Sequence, residues 1–184
     1  MIIWLLLFIS YLIGSVSGSL LLGKWSGVDI RNFGSGNAGG TNALRTQGIK
    51  FAFGVVIIDV GKGLLAAYLA QHFFGVAHDA IYLAVFFSVV GHILPVFHGF
   101  RGLKGAATLA GGLILAWPQA LLVLIMIWLL CLMISGYVGL STVIAAISLN
   151  LSAYIFHVDW TRWQFAIACS ILLAYSHRSN LQRV

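Results

Sequence analysis

Glutamate is absent from this chain, and its only acidic side chains are four aspartates. Lysine and arginine together number ten, so charged residues make up 8% of the whole. Soluble domains carry about a quarter. A chain this poor in charge cannot clothe a water-facing surface. Cysteine is scarce too. Cys131 and Cys169 both lie in apolar runs and read as small packing residues, not as a disulfide or a metal pair. No histidine–cysteine cluster has metal-ligand spacing, so neither a metal nor a cofactor is expected. A basic stripe on a soluble fold is also missing, which argues against nucleic acid as a partner.

What the chain has instead is hydrophobic side chains, 61% of its 184 residues, with a mean hydropathy of +1.03. The lipid bilayer is its solvent, and the length suits one domain over residues 1–184. A span needs about 20 apolar residues. Candidate spans cover residues 2–22, 51–74 and 80–97. The apolar stretch 106–134 is interrupted only at Trp117-Pro118-Gln119. Proline suits the first turn of a helix and disfavours helix in the residue before it. The stretch therefore divides into helices at 106–116 and 118–134, followed by spans at 138–156 and 161–175. The predicted fold is all-α, a polytopic membrane protein of seven transmembrane helices, the fourth too short to cross without local thinning. The N-terminal run lacks a positive flank and is long, so it reads as a first span and not as a signal peptide.

Charge placement orients this scheme. Lys24, Arg31, Arg45, Lys50, Arg101, Lys104, Arg178 and Arg183 fall on one side, and only Arg162 on the other. The positive-inside rule then puts the N-terminus outside and the C-terminus in the cytoplasm. The polar, glycine-rich segments 23–50, 98–105, 135–142 and 176–184 gather on that cytoplasmic side. Asp59 and Lys62 are the exception: they lie inside the second span, three residues apart on one helix face. Mid-membrane charges are costly, which favours a structural pair.

The first loop contains Gly34-Ser-Gly-Asn-Ala-Gly-Gly-Thr-Asn-Ala-Leu-Arg45. Glycines here permit turns that aim successive N–H groups at one anion. Ser35, Asn37, Thr41 and Asn42 add donors, and Arg31 and Arg45 add charge suited to phosphate. In the second segment Lys104 stands between Gly102 and Gly105, just before an apolar helix whose N-terminus suits an anion. The tail offers His177, Arg178 and Asn180. Ser141 and Thr142 supply hydroxyls that by themselves say little.

Together these segments resemble the bacterial membrane family of acyl-phosphate:glycerol-3-phosphate acyltransferases. The stretches GSGNAGGTNALR (34–45), GHILPVFHGFRGLKGAAT (91–108), YVGLST (137–142) and HRSN (177–180) carry the resemblance, in the family's order and spacing. It implies a seven-helix fold and transfer of a fatty acyl group from acyl phosphate to the 1-hydroxyl of glycerol 3-phosphate. The products would be lysophosphatidic acid and inorganic phosphate, in phospholipid synthesis at the bacterial inner membrane, with the site facing the cytoplasm. A soluble enzyme upstream must make the acyl phosphate. Lys104, His177, Ser35 and Arg45 are the expected catalytic residues. Gly34, Gly36, Asn37, Gly39, Thr41, Asn42, Gly102, Gly105, Ser141, Thr142, Arg178 and Asn180 are expected to bind substrate and phosphate. The chain departs from the family pattern at Ala38, Gly40, Leu103, Gly136 and Gly139. Leu103, where glycine is expected, threatens to crowd the phosphate loop.

A base must take the acceptor hydroxyl's proton. Asp29, His92, His98 and His177 are candidates, with His177 favoured; the donor's own phosphate is an alternative. A transporter of a phosphate compound would share the basic loops, but it calls for polar groups through the membrane or two similar halves, and the sequence has neither. A degenerate family member would have lost the polar loop residues, which are present.

Overall fold

The computed structural model describes residues 1–76 and 78–182, so the expected tail residue Arg183 lies outside the described residues. Among the described residues the regular structure is helical, without strands. The helices are α1 (Ile2–Ser15), α2 (Gly18–Ser26), α3 (Gly40–Gln47), α4 (Ile49–Phe74), α5 (Ala80–Ile93), α6 (Ala106–Ala116), α7 (Pro118–Ser135), α8 (Val138–Ile155), α9 (Trp160–Ser176) and α10 (Arg178–Leu181). Two 3-10 turns, Ile30–Asn32 and Val96–His98, lie in the loops.

Among the described residues four helical segments are long and apolar enough to cross a bilayer: α4, α5 with its following turn, α7 and α8. A fifth crossing results if α1 and α2 act as one span bent by 44°. The expected single helix over 2–22 is thus broken. Val16 is extended, and the Ser17 side chain accepts from Leu20 N to start α2 afresh. The expected polar loop 23–50 is also partly helical, because α2 runs on to Ser26 and α3 forms within the loop. The division at Trp117 is as the proline dictates: Pro118 occupies the first turn of α7, and α6 stops at Ala116. α6 has 11 residues. At 1.5 Å per residue it is only about 16 Å long.

Apolar side chains gain little by leaving lipid for one another, so small residues decide which helices meet. α4 lies along α6, and α1 along α5. A Cβ on Gly63 would strike the Thr108 carbonyl, and one on Gly111 the Val60 carbonyl. Gly14 meets Ser88 and Gly91 meets Tyr11 in the same way across α1 and α5. α7 is the opposite case. Only Ala120 among its residues is buried, and it packs mainly on α8, where Trp128 Nε1 donates to Thr142 Oγ1 at 3.1 Å. Its bare apolar face suits contact with lipid.

Candidate active site

The first loop is held in shape by its own asparagines. Asn42, buried in the first turn of α3, accepts from Ser35 N at 3.0 Å and donates to the Phe33 carbonyl at 2.9 Å. Asn37 Oδ1 accepts from Gly39 N and turns the chain into α3. Gly34 and Gly36 are left-handed, as the tight turns require. Asn42 is therefore a bracket of the loop, with both ends of its amide engaged. Thr41 and Arg45 lie one helical turn apart on the exposed face of α3. Asp29 caps the following 3-10 turn and grips Arg31, with Nε 2.9 Å and Nη2 2.6 Å from its oxygens. These hydrogen bonds hold its carboxyl down to about 2. A carboxylate so stabilised is a weak base at neutral pH.

Beneath this loop is a cavity of about 510 Å³. Ser35, Gly36 and Asn37 form part of its wall, Gly102 and Leu103 another part, and the break in the first span, Gly14 to Ser17, a third. Its basic side chains are Arg31, Lys62 and Arg101, with His92 and His98. Among the described residues no carboxylate joins the wall. Such a chamber suits a small anion with hydroxyl groups. Lys62 and Asp59 pair at 3.2 Å, as their spacing predicts, and His92 Nδ1 lies 3.7 Å from the same Asp59 oxygen and 3.2 Å from Thr108 Oγ1. All four side chains are buried. His92 was expected only as a candidate base, and the place of Asp59, Lys62 and Thr108 in or behind a cavity wall was not expected. The only sequence signal for it was the presence of charge inside a span.

Lys104 belongs to a second group of residues. Gly102 passes so close to the His92 and Ile93 carbonyls that a Cβ would collide with both. Leu103 N then donates to His92 O at 3.1 Å, and Gly105, left-handed, starts α6. The Leu103 side chain is buried with Ile30, Ala38, Ala43, Ala52 and Val55. Instead of only crowding the loop, it joins the second loop to the first by an apolar contact, and it also contributes to the cavity wall. Ser176 Oγ lies 2.9 Å from the Lys104 carbonyl and ties the end of α9 to this segment. His177 Nδ1 lies 2.9 Å from the Leu173 carbonyl. A carbonyl only accepts, so the proton is assigned to Nδ1, and Nε2 keeps its lone pair. Burial holds the His177 ring down to about 4; the Leu173 bond opposes this, and the nearby Lys104 charge adds to it.

The remaining expected residues surround this pair or lie apart from it. Arg178 stacks 4.2 Å from the centre of the Tyr175 ring and bonds its carbonyl. Asn180 presses on Gly139, where an added Cβ would lie 2.6 Å from Asn180 Nδ2. Any side chain at that position would disturb the contact. Gly136 is left-handed and ends α7, a conformation that a residue with a side chain would adopt only with strain. Ser141 and Thr142 turn their hydroxyls back to the Tyr137 and Val138 carbonyls of α8. The expected residues thus divide. Ser35, Gly36, Asn37 and Gly102 line the cavity, while Lys104, His177 and the tail form a second group joined to it through Leu103. Arg45 and Thr41 belong to neither wall.

Comparison with known proteins gives a consistent result. The chain is 40% identical over 182 residues to the glycerol-3-phosphate acyltransferase of Finegoldia magna, covering 96% of this chain and 89% of that protein. It is 35% identical to the enzyme of the same name from Chlorobium luteolum, covering 97% and 92% of the two chains. Its fold superposes with a TM-score of 0.92 on the crystal structure of PlsY, an integral membrane glycerol 3-phosphate acyltransferase, in its glycerol 3-phosphate form, at 34% identity, covering 100% of this chain and 92% of that one. A lysophosphatidic acid form of that protein matches with a TM-score of 0.91 at 33% identity, covering 100% and 91%. The family model for glycerol-3-phosphate acyltransferase spans residues 4–184, and this chain, an all-helical membrane protein, belongs to that family.

Proposed function

We propose that this protein acylates glycerol 3-phosphate, taking the acyl group from acyl phosphate and releasing lysophosphatidic acid and inorganic phosphate. The observation that carries this reading is the convergence, within one family fold, of Lys104 and His177 beside a basic cavity lined by Ser35 and Asn37. Donor and acceptor each bring a phosphate, and the two groups of basic residues answer that need. Arg45, exposed on α3, adds positive charge on the first-loop side for an anionic substrate.

In the reaction the acceptor's 1-hydroxyl oxygen forms a bond to the acyl carbonyl carbon, and the bond from that carbon to the phosphate oxygen breaks. Lys104 and backbone N–H groups stabilise charge on the carbonyl oxygen and the departing phosphate. Acyl phosphate is already activated, so positioning supplies much of the rest. The hydroxyl proton passes to His177 Nε2 or to the leaving phosphate. No acyl-enzyme is required. We place the whole chain, 1–184, in one catalytic unit that crosses the bacterial inner membrane seven times. The N-terminus is outside and the site faces the cytoplasm, where a soluble enzyme supplies the acyl phosphate. The eight-to-one distribution of basic residues supports that orientation.

The test is phosphate release from palmitoyl phosphate by the protein in a lipid phase, with and without glycerol 3-phosphate. Acceptor-dependent release that yields lysophosphatidic acid is the expected result. Release indifferent to the acceptor, or none at all, removes the reading.

A further inference from the structure

The first span breaks where the cavity lies. α1 ends at Ser15, and α2 begins at Gly18. A helix C-terminus leaves carbonyls without helical partners and carries partial negative charge. Gly14 and Val16, whose carbonyls belong to that end, both line the cavity. Left bare, those oxygens would repel the anion for which the rest of the wall is suited.

Lys62 answers them. Its Nζ donates to the Gly14 carbonyl at 2.9 Å and to the Val16 carbonyl, and it lies 3.2 Å from Asp59 Oδ1. An ammonium has three hydrogens, and here each has an acceptor. Asp59 in turn accepts from Gly18 N at 3.3 Å, the first residue of α2. The pair thus serves both sides of the break: the cation meets the negative end of α1, and the carboxylate the positive end of α2. The other charged or titratable groups at this place are His92, behind Asp59, and Arg31, Arg101 and His98 across the cavity. Arg31 is itself gripped by the exposed Asp29. Lys62 is the cation of this wall that is buried and fixed from three sides.

We propose that Lys62 is a positioning residue for the anionic substrate in the cavity, acting through the carbonyls of Gly14 and Val16, whose repulsion it removes. The proposal rests on the reading of this cavity as a phosphate-ester site. Because its hydrogens are already engaged, Lys62 does not take part in bond making.

The experiment compares the wild type with Lys62→Met, Asp59→Asn and the double variant in a lipid phase. It measures the thermal unfolding midpoint, turnover, and KM for glycerol 3-phosphate and for palmitoyl phosphate. Removing one partner of a buried pair destabilises, whereas removing both together is often tolerated. The double variant is expected to unfold close to wild type and yet to show KM for one substrate raised about tenfold or more, with kcat changed less, since a charge-assisted hydrogen bond is worth roughly that factor. Asp59→Asn, which keeps Lys62 on the carbonyls, should leave that KM unraised even if the protein is less stable. Recovery of both midpoint and KM in the double variant would make the pair a structural staple only and overturn the proposal. So would an Asp59→Asn variant whose KM rises as far as that of Lys62→Met. Failure of the wild type to turn over refutes the acyl-transfer reading and leaves the cavity to be judged by inorganic phosphate. Phosphate should then raise the midpoint of the wild type but not of the double variant, and an equal shift, or none in the wild type, overturns the inference.

Discussion

The two ends of this helical bundle use similar residues to opposite ends. At one end Asp79 accepts from Thr161 at 3.0 Å, Asp159 caps α9 and pairs with Arg162 at 3.2 Å, and Tyr82 donates to the Ala116 carbonyl. Each polar group there finishes a helix, and the helices are joined by short connections, the tightest being Trp117 alone between α6 and α7. At the other end the first span is broken after Ser15, and two long segments, 27–39 and 94–105, run between helices. Lys62 and Asp59 face a break, Asn42 supports a loop, and Ser176 anchors the backbone that carries Lys104. The first arrangement closes the bundle. The second holds backbone open around a cavity. Polar residues make a site where helices stop early and the released backbone must be supported by side chains.

Substitution of Lys104 by alanine should sharpen this contrast most. Turnover is expected to fall by about 10²–10³-fold, the usual loss of one donor to developing oxyanion charge, with the protein still folded by circular dichroism. A Lys104→Ala enzyme within a few-fold of wild type would place the chemistry elsewhere. Next is Gly139→Ala, whose new Cβ would fall 2.6 Å from Asn180 Nδ2. Relieving that overlap moves the tail by about 1 Å, which should cost roughly ten- to a hundredfold in kcat, and a steady-state assay would read it.

Acid offers a third comparison. The fold holds His177 at about 4, below its ordinary 6.5, because burial favours the neutral ring. If Nε2 takes the proton, the acid limb of kcat/KM should lie near 4, so activity persists at pH 5.5 and is lost as pH falls through the folded value. The same shift makes the folded protein lose stability as pH drops from about 6.5 toward 4, since only the unfolded chain binds the proton readily there. A limb near 6.5 that survives His177→Ala would assign the proton to another group. The smallest effect is expected at the closed end. Arg162→Ala removes an exposed pair, worth about 0–1 kcal/mol, and should leave kcat unchanged. A large rate loss there would break the distinction between the two ends.

Much of the fold was legible from apolar run lengths. α4, α7, α8 and α9 fall within two residues of their expected bounds, and Pro118 located the division between α6 and α7. The break at Val16 was not legible, because Ser15, Val16 and Ser17 contain neither proline nor charge. It depends on a lysine 46 residues further along the chain. The candidate residues could be named from the sequence as a set of residue types in four segments. Their division was not legible: Leu103 was expected to obstruct the loop, and it packs beneath it because five apolar neighbours from other segments meet there. Asn42 was expected to meet substrate, yet its amide is engaged with backbone that folds over it.

Sequence by itself determined the class of this protein. Its scarcity of charge required lipid as solvent, its apolar runs required helices, and its motifs indicated a family later matched over residues 4–184. These are properties of composition and spacing along one chain. Only the tertiary structure decided that Asp59 and Lys62 sit at the ends of a broken helix, and that Lys104 shares its surroundings with His177. Buried charges and unpaired carbonyls must find partners wherever the fold brings them, and those partners can be far away in sequence.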